Sequence, residues 1–279
     1  MPTFIDKDDF GHCLDVLKSG APDYYLADLL LPDGGRKAIV ALHAFHVEIT
    51  NITLAFGEPM AAQIRLQWWS EVVAGERAGE GAGHPVARAL LQTIEEHRLP
   101  IAGFEAKLAA HIFDLYQDPI GTRNDFEAYC GETRSCMFQW AALILGAKAD
   151  RALADASGHG GVATGLVNVL ENIGQTHANG QIYVPSELLN AVAMSPEEFL
   201  GKPSQKHKQV VHGLIDLARE HENKAKQSLR EVAKTARPAF KPLGLVPLYL
   251  KQAEGAGLEI FRRRSELSQL RKQWALWRF

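Results

Sequence analysis

Residues Gly158–Pro185 read GHGGVATGLVNVLENIGQTHANGQIYVP, and the reading of the whole chain turns on them. Gly160, Gly161, Ala163 and Gly165 leave one flank of a helix almost bare of side chains. A bare flank admits another backbone or a long apolar ligand. Asn172 lies four residues after Asn168, and Gln175 and Thr176 lie three and four after Asn172, so they share one helix face. That face is polar, rich in amides and nearly free of charge. After a short turn the chain leaves through Gln181-Ile182-Tyr183-Val184-Pro185.

Around this stretch the composition is that of an ordinary globular protein. The 279 residues are 46% hydrophobic and carry a net charge of -3. That balance gives no reason to expect nucleic acid as a partner. Cys13, Cys130 and Cys136 form no CxxC pair, which fits a reduced, cytoplasmic setting. The eleven histidines include no HxxxH or HExxH arrangement, so no metal is expected from them. The start, MPTFIDKDDF, lacks the apolar core of a secretory signal, and no run of about 18 apolar residues suits a membrane span.

Helical periodicity dominates. Residues 8–20 predict a helix, and Pro22-Asp23 opens a second that Leu29-Leu30-Leu31-Pro32 closes. Asp33-Gly34-Gly35 reads as a turn, after which Arg36 opens a long apolar helix ended by Gly57-Glu58-Pro59. Met60–Ala74 reads as a helix, the stretch AGERAGEGAG as a flexible loop, and His84-Pro85 as the start of a helix ending near Leu99-Pro100. Residues 101–117 and 125–145 predict two more, the second capped by Asp125 and ended by Gly146. Ser195-Pro196-Glu197-Glu198 carries a capping-box pattern. Residues 205–235 form a heavily charged helix, read as a solvated outer one, and Leu248–Phe279 supplies one or two more. With no repeat and no linker, the expectation is one all-α domain spanning 1–279.

The order of signposts resembles the squalene/phytoene synthase family. They are DYYLADLLLP, then Arg36, ALHAF, QWW, HPVARAL, EAYC, GVATGLVNVLENIG and GQIYVP, from about Asp23 to about Leu250. The resemblance implies an isoprenoid-synthase helical fold with a central cavity. Active members join two prenyl diphosphates head to head. Magnesium ions held by carboxylates on two facing helices stabilise the departing diphosphate. Tyr25, Arg36, Phe45, Trp68, Asn168, Gly180, Tyr183 and Pro185 match family positions. On this resemblance Tyr25, Arg36, Phe45, Gly165, Asn168 and Tyr183 are the candidates to line a ligand pocket.

The chain departs from the family pattern where the metal ligands belong. Aligned on His43-Ala44-Phe45, the aspartates of the first motif fall on Thr50, Asn51 and Leu54, and its arginine on Val47. In the second motif the glutamine falls on Gly165, the arginine on Glu171 and the key aspartate on Asn172. The following acidic pair falls on Gln175 and Thr176. An amide carbonyl brings no charge to offset the dehydration of magnesium. Glu48 and Glu171 lie one or two positions off the motifs, turned about 100 to 200 degrees around their helices.

One branch of the family, which assists assembly of respiratory complex I, shows the same kind of loss. The resemblance to it rests on LHAFHVEI, RLQWW and PLYL. It implies a catalytically silent protein with no cofactor and with a protein partner in a membrane complex or its assembly. Two readings stand beside it. One is a working prenyl transferase with an altered magnesium site using Glu48, Glu171, Asp114 or Asp118. The other is an isoprenoid or lipid carrier. Arg36 reads either as an anion contact or as half of a surface ion pair. His43 and His46 read as satisfied core histidines, and Trp68 and Trp69 as packing residues.

The last segment, about 260–279, is basic and amphipathic. Arg262, Arg263, Arg264, Arg271 and Lys272 supply charge, while Trp274 and Trp277 supply aromatic surface. It reads either as a helix lying on a membrane surface, a peripheral contact with the inner membrane, or as a final helix packed on the body.

Overall fold

The computed structural model describes residues 5–54, 59–116, 118–263 and 267–279. The Leu54 side chain and Arg264 lie outside what is described. Among the described residues there are fifteen α-helices, several 3-10 stretches, one π-helical turn and no strand, as the periodicity predicts. The chain forms two compact units, each discontinuous in sequence.

The first unit comprises Met1–Tyr116, Cys136–Asp150 and Val232–Ala239. It begins with α1 (Lys7–Gly20), whose N-terminus Asp6 caps by accepting the Asp8 N–H at 2.8 Å. Next come α2 (Pro22–Asp28) and α3 (Asp33–Leu54). Apolar residues on nearly every side of α3 explain its burial: from Ile39 to Val47 no residue is more than 5% exposed. Asp33-Gly34-Gly35 is the first turn of α3 rather than a free turn. Gly35 is needed there because a Cβ would sit 2.5 Å from a methyl of Leu145.

Then follow α4 (Pro59–Val73), α5 (Ala78–Gly83), α6 (Pro85–His97) and α7 (Ile101–Ala110). The stretch expected as a loop at 74–83 therefore contains a helix. Its glycines weaken helix propensity, but Arg77 binds Glu71 and Glu80, and the Trp68 indole N–H donates to Glu80 at 2.9 Å. The helix expected over 101–117 stops at Ala110 and gives way to a 3-10 turn at Phe113–Leu115.

Residues 125–145 form two helices, not one. In the second unit lies α8 (Arg123–Cys130), followed by a π-helical turn (Gly131–Ser135); α9 (Cys136–Ile144) belongs to the first. The cap of α8 is Thr122, with Asp125 as its capping-box partner: the Thr122 N–H donates to Asp125 Oδ2 at 2.7 Å.

The second unit is built on α10 (Arg151–Ala178). Its bare flank receives a backbone. A Cβ on Gly161 would lie 2.5 Å from the Ser135 N and 2.6 Å from the Ser135 Cα, and one on Gly165 would lie 2.5 Å from Cys130 Sγ. The π-helical turn thus seats directly on α10. Gly180 takes a left-handed φ of 76° and turns the chain into the Gln181–Pro185 exit. That exit is held on both sides: Ile120 N–H donates to Ile182 C=O, and Ser186 N–H to Gly121 C=O, each at 2.9 Å.

Two short helices, α11 (Ser186–Asn190) and α12 (Pro196–Phe199), precede α13 (Gln205–Leu229). The capping box at Ser195 and Glu198 is formed as read. The charged helix α13 is not simply solvated. It buries a stripe that includes Val210, Val211, Leu214, Ala218 and Ala225, and packs along α10. After a 3-10 stretch (Arg237–Leu245) come α14 (Val246–Ala256), a 3-10 turn (Gly257–Phe261) and α15 (Gln269–Arg278). No helix among the described residues is long and apolar enough to cross a membrane.

Candidate functional site

On α3, the positions singled out by sequence are engaged locally. The Thr50 hydroxyl donates to the His46 carbonyl at 2.9 Å. Asn51 and Glu48 instead border an open cleft of about 410 Å³, walled also by Arg65, Trp68, Trp69 and His84. Burial holds the His84 imidazole below its usual range, and its Nδ1 accepts the Ala87 N–H at 3.3 Å.

On α10, the shared polar face forms as the spacing predicts, yet two of its four groups turn back onto their own helix. Asn172 Nδ2 donates to the Asn168 carbonyl at 2.9 Å, and the Thr176 hydroxyl to the Asn172 carbonyl at 3.2 Å. Gln175 is exposed. Glu171 borders a pocket of about 20 Å³ with Tyr249 and Arg263, room for one water. Among the described residues, no three His, Cys, Asp or Glu side chains come together in a way that could hold a metal ion.

The ligand-pocket candidates fall in varied surroundings. Phe45 is fully buried, with the rings of Trp69 and Phe104 at 5.2 and 5.8 Å. Arg36 pairs with Asp33 at 2.9 Å and donates to the Leu31 carbonyl, so of its two readings the ion pair is formed. Gly165 meets Cys130 and Arg134. Tyr25, Asn168 and Tyr183 are half-buried, and Tyr183 has the Tyr129 ring at 6.2 Å.

Sequence reasoning missed a chain of buried polar groups in the first unit. His43 Nδ1–H donates to both Asp28 oxygens, at 3.0 and 2.8 Å. Burial pushes the Asp28 carboxyl up, while His43 and then Arg36 pull it down. The Tyr24 ring lies 4.3 Å from that of His43 and 5.9 Å from that of His46. Beyond it, Lys107 is 0% exposed and its Nζ reaches His46 Nδ1 at 3.1 Å and His111 Nε2 at 3.4 Å. His111 faces a carboxylate through Nδ1, so its proton sits there and Nε2 is left to accept from Lys107. The Nδ1–H donates to Asp114 Oδ2 at 2.6 Å. His43 and His46 are thus satisfied core histidines, as read. Asp114, offered as a metal ligand, is bound by His111, and Asp118 is exposed. The signal for the chain was present: Lys107, His111 and Asp114 stand at i, i+4 and i+7 in an otherwise apolar segment.

A second cluster lies between α8, α10 and α13. Arg123 Nη2 donates to His221 Nε2 at 3.1 Å, so the His221 proton sits on Nδ1 and is shared with His159 Nδ1 at 3.1 Å. Arg123 also pairs with Glu127 at 2.7 Å and Glu220 at 3.2 Å. Burial, aided by His159 and Arg123 against the pull of Glu127, pushes His221 down to about 4. The folded pKa lies below the unfolded one, so unfolding takes up protons between about pH 6.5 and 4. The stability His221 contributes is therefore present above pH 6.5 and lost as pH falls towards 4. Urea unfolding across this window is expected to show midpoints falling with pH, with a shallower fall in His221→Gln. An unchanged slope in the variant would contradict the assignment.

Comparison with known proteins places this architecture. A family model for squalene/phytoene synthase matches residues 17–271. The NADH dehydrogenase (ubiquinone) complex I assembly factor 6 of Bos taurus is 26% identical over 251 residues, 90% of this chain and 75% of that protein. The 15-cis-phytoene synthase of Synechococcus elongatus is 24% identical over 283 residues, 96% of this chain and 91% of that protein. Among solved structures, a dehydrosqualene synthase in complex with ligand has a TM-score of 0.81 at 19% identity, covering 98% of this chain and 95% of that one. A squalene synthase from Alicyclobacillus acidocaldarius has a TM-score of 0.70 at 23% identity, covering 92% and 94%. The structures give the isoprenoid-synthase fold, and the family model, spanning most of the sequence, gives membership: the chain belongs to the squalene/phytoene synthase family.

Proposed function

We propose that this protein has kept the synthase fold, has lost prenyl transfer, and serves in the assembly of a respiratory NADH dehydrogenase complex. One observation carries the loss of chemistry. At the positions that the family resemblance aligns with the two aspartate motifs stand Thr50, Asn51, Leu54, Asn172, Gln175 and Thr176, and three of these are bound to their own helix backbone. This donor set does not fit magnesium. The ion needs several charged oxygens in near-octahedral array, and amides or hydroxyls turned towards a carbonyl supply none. Glu48 on α3 and Glu171 on α10 do not belong to any group of metal-binding size among the described residues.

The role in assembly is supported by the likeness to complex I assembly factor 6 at 25–26% identity in several mammals. Removal of the protein from its cell is expected to lower the amount of assembled NADH dehydrogenase, read as in-gel activity after native electrophoresis. Asn51→Ala and Asn172→Ala are expected to restore it fully. Undiminished assembly without the protein would refute the role, and failure of both variants despite normal folding would return the motif positions to chemistry.

A further inference from the structure

We propose that the outer face of α15 is a docking surface for an anionic lipid bilayer. The helix is fixed to the second unit by one side only. Leu276 is fully buried and Lys272 nearly so, with its Nζ 5.3 Å from the Tyr249 ring centre. Lys241 Nζ donates to the Leu276 carbonyl at 2.9 Å. Gly244 makes room for Phe279, since a Cβ there would lie 2.9 Å from the Phe279 Cβ. These contacts hold the helix in one register.

The opposite side presents Leu270, Trp274 and Trp277 at i, i+4 and i+7, and they are 78%, 60% and 74% exposed. Three large apolar side chains in one stripe, on a helix already seated by its other face, are unexplained by folding. Basic residues border the stripe. Arg271 and Arg278 are exposed, and the Arg278 guanidinium lies 4.4 Å from the centre of the Trp274 ring. Arg262 and Arg263, seven and six residues before α15 begins, are exposed, although Glu259 pairs with Arg262 at 3.2 Å. Residues 259–279 hold six basic and two acidic side chains in a chain whose net charge is -3.

Size and chemistry together select the occupant. Two tryptophans and a leucine offer on the order of 500 Å² of contact, short of the roughly 800 Å² per partner of a stable protein interface. Tryptophan with arginine at its rim is instead suited to the boundary between headgroups and acyl chains. The stripe would enter that boundary with the helix parallel to the membrane plane, while the arginines meet anionic headgroups.

Co-sedimentation of the full-length protein with lipid vesicles tests this without reference to its role in assembly. Binding to phosphatidylcholine vesicles containing about 30% phosphatidylglycerol is expected to be at least about tenfold tighter than to phosphatidylcholine alone, and to weaken with salt. The double variant Trp274→Ala/Trp277→Ala is expected to lose about tenfold or more, with an unchanged melting temperature because both side chains are exposed. Arg271→Gln/Arg278→Gln is expected to lose the preference for the anionic vesicles. Absence of binding by the unaltered protein would overturn the proposal and leave the stripe to a protein partner. Equal binding by the tryptophan variant would overturn it as well.

Discussion

Lys107→Ala is expected to lower the unfolding free energy by about 3–5 kcal/mol, the combined cost of emptying a fully buried stem and stranding its hydrogen-bond partners. Lys107 is fully buried, and its Nζ is the hydrogen-bond partner of His46 and His111. Alanine removes those hydrogen bonds, leaves the volume of the aliphatic stem empty, and takes away the Nε2 partner that fixes His111 against Asp114. Lys107→Met keeps most of the stem and removes only the donors, so it separates packing from polarity. If the polar chain dominates, methionine recovers little of the loss. Urea unfolding followed by far-ultraviolet circular dichroism reads both variants. A loss under about 1 kcal/mol for alanine would mean that Lys107 contributes no more than an ordinary hydrogen bond.

The second large effect is expected on α10, where Gly161→Ala and Gly158→Ala should have opposite signs. A Cβ on Gly161 would lie within 2.6 Å of three Ser135 atoms, two of them backbone. A backbone cannot rotate away as a side-chain tip does, so the π-helical turn must shift. The expected cost is about 1–3 kcal/mol for alanine and more for valine. At Gly158 a Cβ meets nothing within 4 Å. There alanine removes only the flexibility of glycine in a helix and is expected to stabilise by up to about 1 kcal/mol. Thermal unfolding of the pair measures both, and a Gly161→Ala variant as stable as the parent would mean that the turn does not seat as described.

The bare flank of α10 shows how much of the fold was legible. Small residues at 160, 161, 163 and 165 announced a close approach, and the structure supplies the approaching backbone at Gly131–Ser135. The turn itself was not legible. A π-helical turn of five residues carries no residue signature of its own, so residues 125–145 read as one uninterrupted helix. The short helix at Ala78–Gly83 was hidden for a different reason. Its stability comes from side chains of Glu71, Trp68 and Arg77, which local propensity does not register. On α13 the abundance of charge hid the buried stripe, because long charged side chains at the edges of a helix outnumber the small residues facing inward.

At the candidate site, the polar face of α10 was legible from spacing, and the satisfied state of His43 and His46 from their place on one apolar helix. Their partners were not. Asp28 and Lys107 come from α2 and α7, and a single sequence carries no sign of which distant helices supply a partner. Of the two readings of the last helix, packing on the body is the one that is formed. Leu276 packs on the body while Trp274 and Trp277 stay outside, since a ten-residue helix has room for both faces.

The proposed loss of prenyl transfer is read most directly as diphosphate release, with the purified protein incubated with prenyl diphosphates of several chain lengths, with and without magnesium. No release above the rate without protein is expected, in either condition. Magnesium-dependent release that disappears in Glu48→Gln or Glu171→Gln would contradict it, and would show that carboxylates beside the aligned motif positions sustain the chemistry.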